Sequence, residues 1–445
     1  MDPRYILPAI KGIWTRERKY EFWLKVELAV LRARYELGQI SERVYLAIRD
    51  NAKINIELID QIEARVDHDV IAFIQAVQQS LMEAGVGEYK EEFHRGLTSF
   101  DVRDPAELLL LREAVSLVFA EVKKLEAVLF VKAREYKWTL MIADTHGQDA
   151  EPSTFGHLLL VYKEAISRSI RRLQHVLDEE LIGAKISGAV GNYADTDPRI
   201  EMAALSYLGL KPARAETQIL QRDRHAIVIS TLAVLGGTIE QMCRTFWERM
   251  TSRVHELEEP RMSEQKGSSA MPGKKNPILM ERLQGLARLL RGNLMVAIEN
   301  INTPGWRDIA QSAPERVILS DTTMCAFYMV CKMSDVLERL VVFPEQMASN
   351  LNEATFGVWA GPQVRNALMK AGVDYETAYL YVQRTSFEAV QTKTHIRELF
   401  GSCSLSETDQ RTAEQILSTG KLDSFFDALA YIREGIEHIF SQQTV

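Results

Sequence analysis

The stretch Lys266-Gly267-Ser268-Ser269-Ala270-Met271-Pro272-Gly273-Lys274-Lys275-Asn276-Pro277 gathers residue types that rarely occur together. Two glycines, two prolines and two serines do not continue a helix, so the segment must be a substantial loop. Between Gln265 and Met280 there are three lysines and no acid, an electropositive patch in a chain that is acidic as a whole. Read for itself, such a loop is either a solvated basic connector or a cluster that meets an anion. Other reactive residue types are scattered. Four cysteines (Cys243, Cys325, Cys331 and Cys403) have no CxxC spacing, and nine histidines show no HExxH pairing. Free thiols in a reducing compartment are expected, with neither a disulfide framework nor a metal site.

The loop needs rigid flanks, and the surrounding pattern supplies them. Proline-free spans at 9–104, 106–151, 213–259, 278–303, 315–343 and 363–445 permit long helices. Leu108, Leu111, Val115, Val118, Val122, Leu125 and Leu129 recur at intervals of three and four, the period of a helix packing along a seam. Asp104-Pro105-Ala106-Glu107 reads as its N-cap, N1 proline and capping-box acid, predicting a helix from Pro105 to about Ala143, roughly 60 Å long. Ala213–Glu258 and Ile278–Asn300 carry similar patterns, the latter through Leu279, Leu283, Leu286, Leu290 and Leu294. Strand signals are poor. The expectation is an all-α fold of three helical domains: 1–104, a central bundle of very long helices at 105–345 holding the 266–277 loop, and 346–445.

With 53 basic and 61 acidic residues in 445 the net charge is −8, which argues against nucleic acid or an anionic membrane as the main partner. Uncharged runs such as Ala226–Ile239 and Thr322–Val330 are shorter than the ~18–20 residues that span a bilayer. The N-terminal MDPRYILPAI lacks an apolar run behind a basic start, so no signal peptide is expected and the cytoplasm is the default.

The loop GSSAMPGKKNP closely resembles the GSSxMPxKxNP loop of the fumarase/aspartase superfamily, whose members release fumarate by cleaving C–N or C–O bonds. Thr145-His146-Gly147-Gln148, followed by Ala150-Glu151-Pro152-Ser153-Thr154-Phe155-Gly156, and Gly96-Leu97-Thr98-Ser99-Phe100-Asp101 agree in the same order. The combination is most similar to the adenylosuccinate lyase branch. β-Elimination needs a base, a cation facing the developing aci-carboxylate, and an acid for the leaving nitrogen. The resemblance implies Ser268 as base, Lys274 and Asn276 on the carboxylate, and His146 as acid beside Thr145. It further implies that His68 orients or assists His146, that Glu281 polarises it, and that His94, Thr98 and Ser99 contact substrate. No cofactor is implied.

Substrate choice rests on further matches. Arg4-Tyr5 and the later Arg307, Ser312 and Arg316 stand at the spacing with which that branch holds a 5′-phosphate, a task suited to arginine's planar fork. Gln218 lies in the stretch that contacts the succinyl part. Gly273 replaces a common histidine, and Asp144 an arginine that usually precedes the Thr-His pair. The expected function is therefore cleavage of a succinylated purine nucleotide to fumarate and the nucleotide. A fumarate-releasing lyase acting on another N-substituted succinate is the alternative, and a non-catalytic structural member of the superfamily is a third. The resemblance also implies a homotetramer whose active sites draw on three subunits, with a small-molecule substrate as partner.

Overall fold

The computed structural model describes residues 1–262, 264, 266–400, 407–418 and 421–443; Cys403 lies outside them. The helices that matter for the site are α1 (Arg16–Glu36), α2 (Asp69–Glu83), α3 (Ser99–Glu135), α4 (Phe155–His175), α5 (Asp223–Arg249), α6 (Ile278–Glu299) and α7 (Ser312–Arg339). The strands are few: a hairpin of β1 (Leu140–Thr145) with β2 (Gln148–Thr154), plus pairs only two residues long. The expected all-α class holds.

Two compact units divide the chain, one made of Met1–Leu125, Ile166–Gln241 and Arg282–Met333, the other of Glu126–Ala165, Met242–Glu281 and Ser334–Val445. In the first, Leu108, Leu111, Val115, Val118, Val122 and Leu125 of α3 are all completely buried, as their spacing predicts. Each such side chain removed from water contributes roughly 1.5–3 kcal/mol. Leu283, Leu286 and Leu290 of α6 are buried, and Tyr20, Trp23 and Phe73 pack α1 on α2 with ring centroids 5.3–6.0 Å apart. In the second unit Phe155 and Tyr162 of α4 meet Phe246 of α5, and Ile142, Leu351, Trp359 and Ala428 form a separate cluster.

Three boundaries differ from the sequence reading, each for a physical reason. Helix α3 begins at Ser99, six residues before Pro105. The acid that caps it is Asp101, whose carboxylate accepts the Thr98 N–H at 2.9 Å, the side-chain half of a capping box at Thr98-x-x-Asp101. Asp104 is instead a buried anion bound by Arg222 at 2.9 and 3.2 Å. At the other end the helix stops at Glu135, because 140–154 pairs as a hairpin. Helix α5 starts only at Asp223. Residues 213–222 stay irregular because other groups satisfy their backbone: Leu220 N–H donates to Asp104 at 2.7 Å, and Arg222 Nη1 donates to the Leu220 carbonyl at 2.6 Å. By length and composition alone α5 is apolar enough to cross a membrane, yet Val228, Ile229, Leu232, Leu235 and Ile239 are buried in protein. Cys243 and Cys325 are buried free thiols and Cys331 is half-buried; burial pushes the Cys325 and Cys331 thiols up to about 12.

Candidate active site

In the second unit the 266–277 loop links the end of the 257–258 strand to α6. Ser268 is half-buried, and its Oγ accepts the backbone N–H of Met271 at 3.1 Å and of Ala270 at 3.3 Å. Gly267 is required by packing, since a Cβ there would lie 2.8 Å from the Pro272 carbonyl oxygen and 3.1 Å from that of Lys274. Lys274, Asn276 and Glu281 line a cavity of about 560 Å³, together with Gly273, Trp247 and His255. Lys274 is exposed, Lys275 is tied to Glu258 at 2.7 Å, and Glu281 accepts from Trp247 Nε1 at 3.1 Å. Ser268 is not among the residues lining this cavity. His255, at φ 52° and stacked on Phe343, is a cavity residue the sequence reading missed, because a lone histidine carries no spacing signal.

His146 sits at the tip of the β1–β2 hairpin. Thr145 pairs with Gln148, which leaves His146-Gly147 as a two-residue loop with φ of 56° and 72°. Positive φ at both central residues is the type I′ turn, whose twist matches that of the flanking strands. Thr145 and His146 are exposed. Asp144, which departs from the family pattern, is consumed by an ion pair with Arg249, which also holds buried Glu256.

In the first unit three groups of candidates form. Thr98 and Ser99 are half-buried at the N-terminus of α3, whose partial positive charge suits an anion. Beneath them lies a buried ion pair: Lys185 Nζ donates to Asp101 at 2.6 Å and also to the Gln218 carbonyl at 2.9 Å. Asp101 accepts the N–H groups of Ser187 and Gly188 as well, which is why the Ser187-Gly188 segment wraps this corner. The Gln218 side chain accepts from Arg307 Nη1 at 2.6 Å, and Arg307 lies over the Phe100 ring at 4.0 Å. Burial, then the like charge of Arg103, lowers the Arg307 pKa.

The second group surrounds His68. Asp67 closes one helix in the left-handed region at φ 51°, His68 caps α2 through Nδ1, which accepts the Ile71 N–H at 3.3 Å, and Asp69 opens the helix. The cap uses Nδ1 as the acceptor. Asp69 binds Arg316 at 2.8 Å and Lys19 at 3.5 Å. Burial pushes its carboxyl up, but Lys19, Arg103 and Arg316 outweigh burial and hold it at about 2. Ser312 and Arg316 stand one turn apart on α7. The third group is His94, at φ 64°, with Nδ1 2.6 Å from buried Glu27. Arg4 is exposed and Tyr5 packs edge-on against Tyr328; among the described residues no hydrogen bond joins either to Arg307, Ser312 or Arg316.

Residues 5–292 match a family described as Lyase. Over 442 residues the chain is 39% identical to an adenylosuccinate lyase of Thermotoga maritima, and over 444 residues 38% identical to one of Bacillus subtilis, with 99% of each partner covered in both cases. The beta-carboxy-cis,cis-muconate cycloisomerase of Acinetobacter calcoaceticus superposes with a TM-score of 0.86 at 20% identity, covering 98% of both chains. A fumarate lyase of Mesorhizobium superposes at 0.82 and 21%, covering 96% of this chain and 98% of that one. These two show the fold; the relatives of higher identity narrow it further, and the chain belongs to the adenylosuccinate lyase family of the fumarase/aspartase superfamily.

Proposed function

We propose that the protein cleaves adenylosuccinate to AMP and fumarate, and succinylaminoimidazole carboxamide ribotide to its aminoimidazole product, in purine nucleotide biosynthesis. The observation that carries the catalytic reading is the pair of backbone N–H groups donated to Ser268 Oγ. Serine is a poor base in water; preorganised donors on its oxygen lower the cost of the alkoxide that must take a proton from carbon. Ser268 then removes the proton beside the succinyl carboxylate, and the electron pair moves onto that carboxylate. Lys274 and Asn276, on one cavity wall, offset the charge. The C–N bond breaks as the fumarate double bond forms, and His146 gives its proton to the leaving nitrogen, assisted by His68 and polarised by Glu281.

Substrate contacts are assigned to a second set of residues. Thr98, Ser99 and His94 hold the succinyl end with Gln218, while Arg4, Tyr5, Arg307, Ser312 and Arg316 take the 5′-phosphate. Thr145, beside His146, also contacts the substrate. The pairing of Asp144 with Arg249 gives that departure a structural role, which favours the nucleotide substrate over another N-substituted succinate.

We read the active assembly as a cytoplasmic homotetramer with sites shared between subunits. Supporting this, Leu289, Met295 and Ile298 of α6, Ile227 and Val234 of α5 and Val317 of α7 are exposed apolar side chains on the long helices. Purified protein incubated with adenylosuccinate is expected to release AMP and fumarate in equal amounts; no release from folded protein overturns the reading. Light scattering that finds a fully active monomer overturns the assembly.

A further inference from the structure

Arg103 lies on α3, one turn past the Thr98-Ser99 corner, and is only 7% exposed. Its Nη1 donates to Ser312 Oγ at 3.2 Å, and its guanidinium carbon lies 4.7 Å from the same Phe100 ring that carries Arg307. A buried guanidinium is costly unless a carboxylate meets it, yet among the described residues none stands at ion-pair distance from Arg103. The nearby acids are committed elsewhere. Asp69 serves Arg316 and Lys19, Glu315 serves Arg222 and His225, and burial and Glu315 favour the neutral form of Glu107. Arg103 faces a cavity of about 260 Å³ that is lined by four cations, Arg16, Lys19, Arg103 and Arg316, and by the carboxyl groups of Glu107 and Glu315. Two more polar groups here are orphaned: Arg307 Nε, and both amide atoms of Gln311, the neighbour of Ser312, which is 2% exposed.

We propose that Arg103 is a further phosphate-contacting residue, which with Ser312 makes the site specific for a phosphorylated over a phosphate-free ligand. The inference rests on the nucleotide reading above and deepens it. Ser312 occupies one donor of a five-donor fork, and the remaining donors are the charge-assisted partners a phosphate dianion takes two at a time. Asp69 and Glu107 act on Arg103 only from beyond contact distance, and a dianion in contact neutralises the charge that they leave.

The test is calorimetric titration of AMP and of adenosine into wild type, R103M and R103K, with circular dichroism to confirm folding. Phosphate contact predicts at least tenfold weaker AMP binding in R103M, an intermediate loss in R103K, and adenosine binding unchanged in both. A purely structural arginine would weaken AMP and adenosine together, and that result, or unchanged AMP binding in folded R103M, overturns the proposal. Should R103M fail to fold, R103K alone decides on the same AMP-to-adenosine ratio. Arg103-dependent AMP binding by a wild type that does not cleave adenylosuccinate would support this site while refuting the lyase reading.

Discussion

The buried Lys185–Asp101 pair offers the sharpest test of how the corner under Thr98 is built. Both side chains are 0–1% exposed, and the two members are unequally supported. Without Lys185, as in K185M, the Asp101 carboxylate keeps three backbone donors, from Thr98, Ser187 and Gly188, at 2.9–3.2 Å. When Asp101 loses its charge, as in D101N, the Lys185 ammonium keeps no anion, only the neutral amide oxygen and the carbonyls of Gly188 and Gln218, and the amide NH₂ is set against backbone N–H groups. Breaking a buried pair costs about 3–5 kcal/mol, so K185M falls near 3 and D101N near 5. The double variant D101N/K185M removes both charges and recovers at least about 1 kcal/mol relative to the sum. Guanidinium denaturation at one fixed protein concentration, comparing midpoints at a shared slope, measures all three. The reverse order, or strictly additive losses, would refute the argument. Because Lys185 also holds the Gln218 carbonyl, K185M is expected to raise KM for adenylosuccinate.

Substituting Ser268 or His146 by alanine should lower kcat by about 10²–10⁴ with circular dichroism unchanged, and near-normal turnover in either removes that residue from its role. G267A places a Cβ against two backbone oxygens of its own loop, so kcat/KM should drop by about a hundredfold with no shift in the denaturation midpoint; full activity would show that the loop conformation is not required. His94 gives a pH dependence. Burial opposes its charged form, but the charge of Glu27 and its hydrogen bond more than offset this and raise its pKa above 6.5. A raised folded-state value means that the stabilisation is complete below about 6.5 and is lost as pH climbs through the raised value. H94Q should flatten that stretch of the stability profile, and parallel curves for the two proteins between about pH 6 and 9 would contradict the assignment.

Long apolar seams and a lysine-bearing glycine-proline loop are visible in a sequence because they are local: the α3 seam is read from spacing alone, and every residue named in it is buried. The hairpin escaped because its turn is His146-Gly147 and not the Asn-Gly or Asp-Gly pair that marks such a turn most strongly in a sequence; the required feature is positive φ, which histidine also reaches. The start of α3 escaped because two capping patterns follow one another, at 98–101 and 104–107, and the one used depends on Lys185, more than eighty residues away, settling Asp101 in the core. Arg103, Lys185 and Arg222 look like surface cations in one dimension. Only folding reveals that their heads are buried.

The turn that carries His146 distributes the genetic load of the proposed acid over two codons. Gly147 contributes no reacting atom, yet its φ of 72° follows a residue already at 56°, and β-branched replacements rarely enter that region. Such a replacement forces the β1–β2 connection into a longer loop or a slipped register, and since Thr145 is the last paired residue, a slip carries the imidazole away with it. On the proposed role of His146 as proton donor, its inheritance runs through a residue with no side chain, and alleles at 147 would pass as structural lesions while behaving as losses of acid catalysis.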